Sequence, residues 1–329
     1  MYRTVLGATN ERGHRLRRYG SHRASTATRS RAASTKRPAT GVRPSELAHR
    51  LELFEVGVAA LRRAVPGHPA AYRCPLCLRL ADRTAVESGL LTMEHVPPKC
   101  VKGTRMLLTC KPCNDRAGSE WDAHLPLAEA LRRFGTERAV PIPSILTIGD
   151  IPIRGETTFD GKLLRHIGIS KQNDPREIAA LNQLGGPQEG DEIRFEASIR
   201  DDVLQRARVS WMRSAYLCAF ALLGYRYILR PTLDPVRAEI AGSRVRSAPV
   251  VNVRDVDQTT RLVLALSAPD WAHGAVAVIQ DGTLTILPSG RVDCTAMTRI
   301  ANSTAGELRD LKIGPTLGWP IHPEYRADR

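Results

Sequence analysis

Two Cys-x-x-Cys pairs, Cys74 with Cys77 and Cys110 with Cys113, supply the four thiolates that a tetrahedral structural zinc ion uses. Between Cys77 and Cys110 lie 32 residues, against roughly 15 to 20 in tandem zinc ribbons. Closing so long a loop on a metal leaves room for a second group inside it. The loop contains Glu94-His95, and Asn114 follows directly on the second Cys pair. A histidine near neutral pH can take a proton from water, and a carboxylate with a carboxamide offers the oxygen donors that a hard divalent ion prefers. Lys99, Lys102, Arg105, Lys111 and Arg116 surround these residues and are candidates for binding phosphate, although a lone surface cation is more often simply solvated. Cys100 reads as a free thiol beside this set and not as a fifth ligand.

Local pattern says how these groups are positioned. Leu90 to Met93 reads as a strand running into Glu94-His95, and Pro97-Pro98 ends it, since proline has no N–H to donate to a ladder. Lys102-Gly103-Thr104 reads as a turn and Arg105 to Thr109 as the returning strand. Asn114 is a suitable helix N-cap, with Ala117, Trp121 and Leu125 continuing at helical spacing. The predicted order is strand, strand, helix, with zinc pinning the hairpin to the helix.

From about Ala71 to Leu125 this arrangement resembles the ββα-metal finger of HNH endonucleases, in which a carboxylate-His pair ends the first strand and a His or Asn opens the helix after the second Cys pair. The resemblance implies a role for each matching position. His95 would be the general base, Glu94 and Asn114 would hold a catalytic Mg²⁺ or other divalent ion, and the four cysteines would hold structural zinc. Such an ion, with few protein ligands, is expected to fill its site fully only when substrate is present. One position departs from the family pattern. Arg105 stands where the family usually has an Asn that helps to orient the base, so orientation of His95 would fall to another group.

The 329-residue chain carries a formal net charge of +14, a balance that suits a nucleic-acid partner. Residues 1 to 45 hold eleven Lys and Arg against one acid, Glu11, so the rest of the chain has only +4. Residues 1 to 44 are therefore expected to form a disordered basic tail, read as a nucleic-acid-binding arm, a transit peptide or an over-extended translation start. Seven cysteines, an odd remainder of three after the zinc set, and no recognisable secretory signal point to a reducing, cytoplasmic compartment. The longest apolar run, Tyr216 to Leu223, is too short to span a bilayer.

Outside the 71–128 nuclease-like unit, residues 45–65 read as an amphipathic helix, with Ser45 as its cap and Leu47, Leu51, Phe54, Val58 and Leu61 on one face. Residues 140–329 read as one accessory α+β domain with a mainly antiparallel sheet, built around a long helix from Asp201 to Leu223 that Gly224 closes. Trp211, Tyr216, Phe220, Tyr225 and Tyr227 there fit core packing better than base stacking. His166, His273 and His322 stand singly, with no second catalytic cluster, Walker motif or nucleophile elbow. The expected function is a metal-dependent endonuclease acting on DNA, with RNA also open. The alternatives are a zinc-dependent nucleic-acid reader that has lost catalysis and a protein-interaction module held together by zinc.

Overall fold

The computed structural model describes residues 44–183, 192–197, 199–253, 257, 259–290, 294–302 and 311–320, so the basic tail, the Gly185-Gly186-Pro187 turn and His322 lie outside the described residues. Helix α1 (Pro44–Ala64) starts one residue before the expected cap, with Pro44 at its first position, where a missing N–H costs nothing. Its inner face, including Leu53, Phe54 and Val58, packs on Tyr72, Val86, Leu91 and Leu108. Gly57 lets the helix approach the Tyr72 ring, which a Cβ would meet at 2.3 Å.

The short hairpin β1 (Tyr72–Arg73) and β2 (Leu80–Ala81) carries the first Cys pair in its loop. One turn of helix, α2 (Thr84–Glu87), leads to β3 (Leu91–Val96), which pairs antiparallel with β4 (Thr104–Cys110). The ladder shifts register between Glu94 and His95, so that His95 pairs with Arg105. At the turn Lys102 has φ 60°, and a Cβ on Gly103 would lie 1.4 Å from the Pro97 carbonyl oxygen, which accounts for the glycine. Helix α3 (Lys111–Arg116) then opens into a wider π-type turn over Ala117–Trp121 and a 3₁₀ turn over Asp122–His124 before α4 (Leu125–Arg133).

Residues 141–198 belong to a separate compact unit. Its strands β5 (Ile142–Ile148), β6 (Ile151–Phe159), β7 (Leu164–Gly168) and β8 (Ile193–Glu196) form an antiparallel sheet in the order β7-β6-β5-β8, with α5 (Pro175–Gln183) beside β6. Leu146, Ile148 and Ile153 form its small core.

The other unit joins residues 43–140 to 199–329. Helix α6 (Asp201–Ile228) leaves helical geometry at Gly224, where φ is 67° and ψ is −162°, and regains it for one more turn. After α7 (Asp234–Ile240) come β9 (Val250–Asn252), β10 (Arg261–Ala268), β11 (Val276–Gln280), β12 (Thr283–Leu287), α8 (Cys294–Asn302) and β13 (Lys312–Gly318). Their strands form a second antiparallel sheet, in the order β13-β10-β11-β12-β9; Gln280-Asp281-Gly282 reads from sequence as the hairpin turn between β11 and β12, and the structure turns at Asp281-Gly282 with Gln280 the last residue of β11. The chain is thus a mixture of helix and antiparallel sheet, but the expected single 140–329 domain is divided. Residues 141–198 fall in one unit, and the described residues from 199 onward share a core with the Cys-bearing hairpins. The physical reason is apolar: Leu61, Val96, Met106 and Leu107 pack with Met212, Ala215, Leu217 and Phe220 of α6 and with Val263, Val278 and Leu287 of the sheet.

Because one core serves finger, α6 and the second sheet, Leu107→Ala is expected to cost about 2 to 5 kcal/mol and to lower the one transition in which zinc release and loss of the α6 helix coincide on a thermal melt. Zinc release moved to lower temperature while most of the helical signal melts unchanged would contradict the shared core.

Candidate metal centre and histidine site

Cys74 and Cys77 enter from the β1–β2 loop, Cys110 ends β4 and Cys113 lies in the first turn of α3. Their four sulfurs lie within 4.8 Å of one another, with Cys77 Sγ 3.6 Å from Cys110 Sγ. Four Zn–S bonds of about 2.3 Å around a tetrahedral ion put sulfurs about 3.8 Å apart, so the donor set fits zinc. The free cluster shares its protons unevenly. Hydrogen bonding to Cys110 and Cys113 drives Cys77 well below the ordinary thiol value, while hydrogen bonding to Cys110, with burial, drives Cys74 well above it. A divalent ion would replace this division with four thiolates. Cys100 is outside the cluster; its thiol donates to the Asp122 carbonyl at 3.6 Å.

Helix α6 fastens the backbone that carries the first pair. The Tyr216 hydroxyl donates to the Pro75 carbonyl at 2.9 Å and the Tyr225 hydroxyl to the Arg73 carbonyl at 2.5 Å. The aromatic residues of this helix are therefore core and fastening groups, buried as their helical spacing implies.

His95 is half-buried at the end of β3. Burial lowers its pKa first, and the positive charges of Arg105 and Lys99 lower it further, so more of the imidazole is neutral and able to accept a proton at any pH near neutrality. Its backbone N–H donates to Glu94 Oε1 at 3.0 Å. Asn114 lies inside α3 and is not its cap; Cys110 holds that position. The Asn114 amide donates to Thr92 Oγ1 at 2.9 Å and to the Met93 carbonyl at 3.3 Å, which braces the strand just before the Glu-His pair.

Glu94 does not stand open to an ion. It is 3% exposed, and its Oε2 takes the Arg213 guanidinium at 2.9 Å and the Thr109 hydroxyl at 3.3 Å. Burial raises its pKa, Arg213 opposes that rise, and Asp122 adds to it. Arg213, itself 1% exposed, also donates to Asp122 Oδ2 at 2.7 Å, and the Ser210 hydroxyl donates to the other Asp122 oxygen. Burial alone would lower the Arg213 pKa, but the two carboxylates outweigh it. A hexahydrate-derived ion such as Mg²⁺ keeps several waters and needs free carboxylate oxygen. With both Glu94 oxygens engaged and a guanidinium already against one of them, the expected Glu94/Asn114 ion site does not fit this arrangement.

The basic candidates divide in two. Lys99 and Lys102 are exposed and form no ion pair among the described residues. The other three have acidic neighbours: Arg105 lies 3.6 Å from Glu46 on α1, Lys111 2.7 Å from Asp115, and Arg116 3.8 Å from Glu120. The loop bearing Lys99 and Lys102 is held from behind, since Arg261 donates to the Val101 and Lys102 carbonyls while paired with Asp281 at the β11–β12 turn. Of the single histidines, His166 Nδ1 lies 2.8 Å from Thr157 Oγ1 and His273 Nδ1 lies 2.9 Å from the Ser267 carbonyl, and neither belongs to a catalytic group.

Sequence reasoning missed Arg213 and Asp122. The signal was present: Arg213 is the only charged residue between Arg208 and Arg226 in an otherwise apolar helix, and a charge in a buried stretch requires a partner. No family model, curated protein or solved structure matches this chain. No described helix is long and apolar enough to cross a membrane.

The sulfur geometry predicts one tightly held zinc per chain. Cys110→Ser is expected to reduce metal content and destabilise the finger, as read by metal analysis and thermal melting; unchanged zinc content would exclude the four-sulfur site.

Proposed function

We propose that this chain is a zinc-stabilised HNH-type endonuclease that hydrolyses phosphodiester bonds in DNA, with His95 as the general base. The observation that carries the reading is the setting of His95. It lies near the end of the first strand of a β3–β4–α3 unit gathered by four cysteines, it is partly open to solvent, and burial, with Arg105 and Lys99, depresses its pKa. In this reading His95 takes a proton from water as the water oxygen bonds to phosphorus. The bond from phosphorus to the 3′ oxygen breaks, and solvent returns a proton to the departing oxygen. Lys99 and Lys102 offset charge on the phosphoryl oxygens. Zinc supplies fold and not chemistry, since a four-thiolate site has no open position. No step is assigned to a divalent ion at Glu94.

The pairing of Glu94 with Arg213 and of Arg105 with Glu46 favours a second reading, a zinc-dependent nucleic-acid reader without catalysis. The two readings separate on supercoiled plasmid treated with zinc-loaded protein and Mg²⁺ or Mn²⁺. The nuclease reading predicts nicking that His95→Ala reduces by about a hundredfold or more, with DNA affinity retained and falling with salt. Salt-sensitive binding with no cutting of any DNA form would leave the reader.

A further inference from the structure

The geometry points to Arg213, a residue outside the finger, as the fixed cation of this site: it holds Glu94 and Asp122 from α6, so that Glu94 positions His95 and retains no divalent ion. Glu94 Oε1 accepts the His95 backbone N–H at 3.0 Å, and its Oε2 is shared between Arg213 Nη1 at 2.9 Å and Thr109 Oγ1 at 3.3 Å. Both oxygens are engaged, the residue is only 3% exposed, and it is closed in by β4 on one side and α6 on the other. A divalent ion would have to displace a guanidinium that cannot be deprotonated and has no solvent to enter.

Arg213 is held in turn. Its Nη2 meets Asp122 Oδ2 at 2.7 Å, and Ser210, one turn earlier on α6, donates to the other oxygen of Asp122. Asp122 sits where the wide π-type turn after α3 passes into a 3₁₀ turn, so this loosening of the helix delivers a carboxylate to α6. The planar fork of arginine suits two carboxylates on different elements, and a lysine at 213 would offer only a point charge. One side chain therefore ties β3, the turn after α3, and α6 at the residue next to His95. The role given to Glu94 rests on the reading of His95 as base; the absence of an ion at Glu94 does not.

The test uses the full zinc-loaded chain and needs no activity for its first arm. Mn²⁺ is titrated by calorimetry into the natural chain, Glu94→Gln and Arg213→Met. The natural chain and Glu94→Gln are expected to behave alike, while Arg213→Met, with two carboxylates released, gains a Mn²⁺ site that the added Glu94→Gln change removes. Stoichiometric Mn²⁺ binding by the natural chain that weakens about tenfold or more in Glu94→Gln would overturn the proposal, and this comparison stands even if Arg213→Met fails to fold. In the second arm, selective ¹⁵N-histidine labelling follows the His95 amide in Arg213→Lys. A shift of that amide with His49 and His273 unmoved supports positioning through Glu94; an unmoved His95 amide contradicts it. Absence of plasmid cutting would defeat the nuclease reading alone and leave the first arm intact.

Discussion

A guanidinium buried between two carboxylates is the constraint around which this molecule is organised. Arg213 and Asp122 are 91 positions apart in the chain, yet they meet at hydrogen-bonding distance, with Arg213 buried and Asp122 largely so. Breaking such a pair by removing one member costs about 3 to 5 kcal/mol, because the other charge is left stranded. That asymmetry gives the contact its weight: with all three partners present the buried guanidinium has a carboxylate on each side, at 2.9 Å and 2.7 Å, and with any one missing a charge is left uncompensated. The apolar seam of Leu107, Val96, Met212 and Phe220 supplies the favourable burial, while the charged contact, with the Tyr216 and Tyr225 hydrogen bonds, fixes the registry between the surfaces.

The four-cysteine cluster acts on a different scale. It gathers the β1–β2 loop against the end of β4 and the start of α3, whereas hydrogen bonds from Tyr216 and Tyr225 fasten the cluster's own backbone to α6. His95 is thereby placed at the edge of this assembly, with burial first and the charges of Arg105 and Lys99 after it lowering its proton affinity. Arg105 illustrates the division. It lies opposite His95 in the ladder and acts on it through charge, while Glu46 on α1 shares that charge.

Local elements were legible in the sequence because they depend on local physics. The four cysteines, the Pro97-Pro98 stop, the Gly103 turn and the Asp281-Gly282 hairpin each follow from residue chemistry at short range, and each stands where its spacing predicts. The fate of Glu94 was not legible, since its partner lies on another element and α6 read simply as an apolar core helix. The division of residues 140–329 was hidden for the same reason: periodicity shows that a helix has a buried face but does not say against what. Asn114 shows a smaller version of this limit, being a good cap by type and a strand brace in fact.

The pH dependence of plasmid nicking by the zinc-loaded chain tests the central claim most directly. A histidine whose charged form is disfavoured by burial and by Arg105 and Lys99 loses its proton earlier as pH rises. The rate should therefore climb through a midpoint below about 6.5, the ordinary imidazole value, then level off, and this limb should vanish in His95→Ala. Nicking that shows no such limb, or the same limb without His95, would contradict the assignment of His95 as the base.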